Sequence, residues 1–86
     1  MYITGYIMGI KLNADKNKIK NVQVEILVEK NYLDKNGERP TQTIHVIENV
    51  TNTKDSYFIN NKKIGQSTAI ESKLINKELV VTNIIY

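Results

Sequence analysis

Apolar and polar positions alternate two by two along most of this chain. From Val22 onward, Val22, Val24, Ile26 and Val28 share one face, while Gln23, Glu25, Leu27 and Glu29 share the other. That period belongs to a strand with one side against a core and the other in water. Asn31 to Pro40 then reads as a loop. Asn36-Gly37 is a turn pair because both residues tolerate positive φ, and Pro40 marks a strand boundary because it has no amide to donate. Thr41 to Ile47 is again β-branched and extended in character, so Val22–Lys30 and Thr41–Asn49 are expected to pair as a long hairpin.

The first segment, Tyr2 to Leu12, is strand-like with apolar residues on both faces. Tyr6, Met8, Ile10 and Leu12 fall on one side, and Ile3 and Ile7 fall on the other with Gly5 and Gly9. A strand of this kind curls and meets core on both sides, and its glycines point to a bulge or a barrel corner. Asn13 to Asn21 reads as a polar, lysine-rich connection. In the stretch Asn52–Lys63, Asp55 is expected to cap one short helical turn carrying Tyr57, Phe58 and Ile59, which Gly65 ends. A strand Ser67–Ser72, a turn at Asn76-Lys77 and a last strand Glu78–Tyr86 complete the chain.

These elements make an all-β fold of five strands with one short helix between the third and fourth. A small OB-type barrel fits that order, and closure accounts for the curled first strand because it removes exposed edges. An open five-stranded meander or an SH3-like barrel has the same periodicity.

At 86 residues the chain is expected to form one domain, 1–86, with one modest core. There is room for a binding face and little for an enclosed active site. With no Cys and one His, disulfides and thiolate metal sites are excluded and no cofactor is expected. The N-terminal stretch lacks a basic region and has only a short apolar run, so no signal peptide or membrane span is expected and cytoplasmic residence is the default. The net charge of +3 permits a polyanionic partner without naming one. Every basic residue except Arg39 is a lysine, which suits loose phosphate contacts more than planar base reading. The abundance of Lys, Asn and Ile is that of an AT-rich coding source, such as a low-GC bacterium or its mobile elements.

No catalytic constellation is legible. His45 is the only imidazole, and no motif surrounds Ser56, Ser67 or Ser72. No Gly-rich phosphate cradle occurs, so no enzymatic activity is expected. What the sequence offers instead is cations interleaved with aromatics. Lys11, Lys16, Lys18 and Lys20 cluster at the first connection. Lys30, Tyr32, Lys35 and Arg39 flank the hairpin, and Tyr57, Phe58, Lys62 and Lys63 fall in the helical insertion. Single-strand binders need cations along the phosphates and rings under the bases, each stacked base being worth about 1–3 kcal/mol. Glu25 and Glu29 count against this reading, because carboxylates on a binding face repel phosphate.

Three stretches carry a family resemblance. They are Tyr2–Ile7, then Val22–Tyr32 with the turn Asp34–Arg39, and Ile64–Leu74 followed by Leu79–Ile84. Their order resembles that of bacterial single-stranded DNA-binding proteins and of primosomal replication protein N. The resemblance implies an OB fold, sequence-tolerant binding of single-stranded DNA or RNA, and assembly as a homo-oligomer. It also implies a place in DNA replication, recombination or mobile-element transfer, beside other proteins of those processes. The chain departs from the family in lacking Trp, in the short connection Lys73–Lys77, and in stopping at its last strand without an acidic-tipped tail. Tyr32 stands where a stacking ring is expected.

On this reading Lys11, Lys16, Lys18, Lys30, Lys62, Lys63 and Arg39 contact phosphates. Tyr32 stacks bases, Tyr57 and Phe58 either stack bases as well or pack as core or lid residues beside the helical turn, and His45 lies on the groove floor. A different class is also consistent with the sequence: a phage- or mobile-element-encoded inhibitor or assembly subunit that binds protein and no nucleic acid. The acidic pair Glu25 and Glu29 favours it.

Overall fold

The computed structural model describes residues 1–86. The alternating segments form five strands: β1 (Tyr2–Asp15), β2 (Lys18–Glu29), β3 (Thr41–Glu48), β4 (Ser67–Ile75) and β5 (Glu78–Ile84). A single 3₁₀ turn, Thr53–Asp55, and one short helix, α1 (Tyr57–Asn61), lie between β3 and β4. The sheet closes in the order β1-β2-β3-β5-β4, with β4 returning to β1. This is an OB-type barrel. No helix is long and apolar enough to cross a membrane.

β1 makes closure possible by serving two neighbours. Tyr2–Tyr6 pair with β4 (Tyr2↔Glu71 to Tyr6↔Ser67), and Tyr6–Asp15 pair with β2 (Tyr6↔Leu27 to Asp15↔Lys18). The handover requires Gly5. A Cβ there would lie 2.2 Å from the Leu27 carbonyl oxygen, so no side chain fits. A bulge between Ile7 and Gly9 then shifts the alternation by one residue. The faces expected for β1 are therefore corrected. Ile3 and Ile7 point into the core, and beyond the bulge Ile10 and Leu12 oppose Val24 and Val22 on that same side. Met8, the extra residue, is exposed.

The core is Ile3, Ile7, Val22, Val24, Ile26, Val46, Phe58 and Ile70. Each full burial of such a side chain is worth about 1.5–3 kcal/mol. β2 and β3 pair as the alternation requires, from Val22↔Glu48 to Glu29↔Thr41. The seam between β3 and β5 is a single parallel bridge, Ile47↔Val80.

Asn13–Asn21, expected as a connection, is instead the end of a two-stranded arm, with Asn13↔Asn21, Ala14↔Ile19 and Asp15↔Lys18 in register. The arm needs no core: ladder hydrogen bonds satisfy its backbone while its lysines stay in water. It stretches the molecule to 48 Å along one axis against 27 and 24 Å along the others. β4 likewise runs on to Ile75, past the expected Ser72, because β5 pairs with it up to Glu78.

The helix cap also differs from expectation. Asp55 belongs to the 3₁₀ turn, and Ser56 is the N-cap, its hydroxyl accepting from the Ile59 amide at 3.1 Å. Of the two roles open to Phe58, base stacking is excluded: the side chain is fully buried at 0% exposure and packs in the core. α1 closes one end of the barrel, and its one buried side chain is this plug.

Candidate nucleic-acid interface

The pleat that buries Val22, Val24 and Ile26 turns Gln23, Glu25, Leu27 and Glu29 outward. Register places Gly9 and Lys11 beside Glu25 and Gln23 on β1, and Thr43 and His45 beside Leu27 and Glu25 on β3. The result is a polar outer face spanning three strands. Asn13 donates to the Asn21 side chain at 2.7 Å, which prolongs the face onto the arm. At its centre His45 Nε2 stands 3.3 Å from Glu25 Oε1, both side chains about half exposed (54% and 46%).

A groove of about 640 Å³ runs along the β3 side of this face. Gln23, Thr43 and His45 line it from the sheet, and Lys77, Glu78 and Leu79 line it from the β4–β5 hairpin. The hairpin tip is Asn76-Lys77, with φ of 50° and 67°. Both values lie in the left-handed region, as a type I′ turn demands. Lys77 pays for that conformation, since a side chain there costs about 1–2 kcal/mol that glycine avoids. The arm repeats the feature, with Lys16 at its tip at φ 50°. In OB barrels the strand β2–β3 face and the loops β1–β2 and β4–β5 form the binding region. Here each of those two loops holds a lysine in strained backbone.

Of the 12 lysines and arginines, only Lys20 lies within ion-pair distance of a carboxylate, 3.6 Å from Asp15. The other cations have no carboxylate partner. Lys11 is exposed on the outer face, and Lys18 opposes Asp15 on the arm. Lys30 follows β2 and hydrogen-bonds the Gln42 side chain, while its carbonyl accepts from Arg39 Nη1 at 3.3 Å. Asp34 folds the loop beyond it, accepting from the Asn36 and Glu38 amides at 2.9 and 3.0 Å. Tyr32 stands out from this loop, 60% exposed.

The sequence-predicted residues thus separate into two groups. Lys11, Lys16, Lys18 and His45 gather on or beside the outer face and its arm, with Lys30, Tyr32 and Arg39 at the far end of β2. Tyr57 and Phe58 belong to α1, and Lys62 and Lys63 to its exit. Tyr57 is half-buried and packs its ring edge-on against Phe58, with centroids 5.6 Å apart. Lys62 Nζ donates to the Ser67 carbonyl at 2.9 Å and stands 5.6 Å above the Tyr86 ring.

Sequence reasoning missed Lys77, although the signal was present: a lysine in a two-residue turn that favours glycine. It also missed Gln23 and Thr43, ordinary polar residues in a strand, and Tyr6 and Tyr86, whose proximity no local pattern reveals. No group of three or more His, Cys, Asp or Glu side chains converges to hold a metal. The chain matches no protein-family model and no curated protein sequence.

Proposed function

We propose that this protein binds single-stranded nucleic acid, DNA foremost, without catalysis. The ligand lies across the outer face of β1, β2 and β3, between the arm and the β4–β5 hairpin. One observation carries the reading: Lys16 and Lys77, at the tips of the two hairpins that flank this face, both keep a cation in backbone where glycine is cheaper. Backbone strain concentrates at functional sites. Lys11 and Lys18 continue the cationic edge along the arm, and Lys30 and Arg39 extend it past β2. Tyr32 offers a ring for stacking. The resemblance to single-stranded DNA-binding proteins supports a role in DNA replication, recombination or mobile-element transfer as a homo-oligomer, and the N-terminal stretch, unlike a signal peptide, supports cytoplasmic residence.

The test is fluorescence anisotropy with labelled oligo-dT and duplex DNA across a salt series, with mass by light scattering. Single-strand affinity should fall with salt, log K declining by about 0.7 per phosphate contacted for each tenfold rise in salt. Binding that ignores salt, or no binding at low salt, would sink the proposal.

A second reading, a protein-binding module, is favoured by the β3 edge. Ile47↔Val80 is its one bridge to β5, so Thr41–Val46 have a strand neighbour only on the β2 side. An extended segment of a partner would add to such an edge. Capture of a host protein that survives nuclease treatment, together with silence toward oligo-dT, selects this reading.

A further inference from the structure

A second cleft, of about 290 Å³, opens at the corner where β1 leaves β4 and joins β2. Gly5 is in its wall, and Tyr6 and Tyr86, 48% and 50% exposed, border it. The Thr68 hydroxyl donates to the Tyr86 carbonyl at 2.8 Å and ties that residue to β4. Arg39 lines the cleft, and Lys62 stands over the Tyr86 ring. Glu29 and Asn31 line it from the end of β2. Although both signs of charge meet here, none of Glu29, Arg39 and Lys62 lies within ion-pair distance of an opposite charge. The cleft therefore combines rings, cations, an amide and an uncommitted carboxylate.

We propose that this cleft is a nucleotide pocket selective for guanine. It rests on the reading of the protein as a single-strand binder and names one base position within it. A cleft for phosphate alone has no use for Glu29, which repels it. A cleft for a base does, because an ionised carboxylate only accepts hydrogen bonds. Guanine is the one base with two adjacent donors on its pairing edge, N1–H and N2–H, and so meets both carboxylate oxygens. Adenine and cytosine each set one donor beside a ring nitrogen acceptor, and thymine flanks its single N–H with two carbonyls. Each of these turns an acceptor toward Glu29. In the guanine pose Tyr6 and Tyr86 hold the base face, the Asn31 amide donates to O6, and Arg39 and Lys62 meet the flanking phosphates.

The experiment compares an oligo-dT of about 15 nucleotides, near the upper site size of one OB barrel, with the same strand carrying one central dG. The guanine strand should bind about tenfold more tightly, within the range of one bidentate base contact. Glu29→Gln should erase that difference, and oligo-dT, relieved of a repelling carboxylate, should bind as tightly as before or more tightly. Glu29 is exposed at a strand end, so the variant keeps its fold. Amide NMR with GMP should shift Gly5, Ser67 and Thr68, and UMP should not. Equal affinity for both strands, with oligo-dT binding intact, overturns the pocket and leaves the single-strand reading standing. GMP shifts confined to Gln23, Thr43 and His45 also overturn it. Failure of every strand to bind at low salt overturns both.

Discussion

Ser56 Oγ donates a 2.6 Å hydrogen bond to Glu48 Oε1, and both side chains are buried. The other carboxylate oxygen accepts from the Tyr57 amide at 2.8 Å. Ser56 Oγ in turn accepts from the Ile59 amide, so one serine caps α1 and anchors it to the end of β3. Glu48 thus has a partner for each oxygen, which is the condition for keeping a carboxylate out of water. The pair fixes the helix whose Phe58 plugs the barrel.

Ser56→Ala removes the cap and leaves a buried carboxylate oxygen without its partner. A lost N-cap costs about 0.5–2 kcal/mol and an unsatisfied buried polar group about 1–3. A fall in urea-unfolding stability of about 2 kcal/mol is expected. A change below 0.5 kcal/mol would contradict this role for the pair.

Two glycines of β1 should respond oppositely to alanine. At Gly5 the new Cβ meets the Leu27 carbonyl oxygen at 2.2 Å and Ile26 Cγ2 at 2.8 Å, so the strand must move or unpair. Overpacking of this kind costs about 1–3 kcal/mol or more. At Gly9 the nearest atom is Glu25 Oε2 at 3.5 Å, ordinary contact. Gly9→Ala should be neutral or stabilise by up to about 1 kcal/mol, through lower entropy of the unfolded chain. Thermal unfolding of both variants checks the contrast.

Lys77→Gly should separate stability from binding. Glycine relieves the left-handed backbone, so unfolding stability should rise by about 1 kcal/mol. The same change removes a cation from the groove, so oligo-dT affinity should fall severalfold and the salt slope should shrink by about 0.7. Lys11→Gln, in regular strand, should weaken binding similarly with stability unchanged. If Lys77→Gly binds as tightly as the parent chain, the strain at that turn has no part in binding.

Glu25→Gln takes a carboxylate from the centre of the outer face. Its pair with His45 is half exposed, and such pairs contribute about 0–1 kcal/mol, so the melting temperature should barely move. Oligo-dT affinity should rise severalfold at low salt, and the gain should fade as salt screens the charge. Anisotropy titrations at two ionic strengths read this directly.

The hairpin of β2 and β3 was legible because burial on one side forces strict alternation, and slipping by one residue would put Val24 and Ile26 in water. The turn at Asn76-Lys77 was legible from local backbone preference; of the pair Asn36-Gly37 only Gly37 takes the positive φ, at 77°, and the turn it ends is closed by its amide on the Asp34 carbonyl. The lysines of the outer face and arm were visible as a cluster for the same local reason. The arm itself was not, because a ladder without a core leaves no hydrophobic period in Asn13–Asn21. The role of Phe58 stayed open between core and ligand because an aromatic on a short helix looks the same in sequence whether it plugs a barrel or faces a ligand.

Sequence alone determined the five strands, their order and which side of β2 meets the core, since these follow from covalent neighbours and a two-residue pleat. Only the tertiary structure decided that the Ile7–Gly9 bulge rephases β1, that Glu48 meets Ser56, and that Tyr6 and Tyr86 border one cleft. Those relationships join residues of different elements. Barrel closure sets their distances, and no local pattern encodes them.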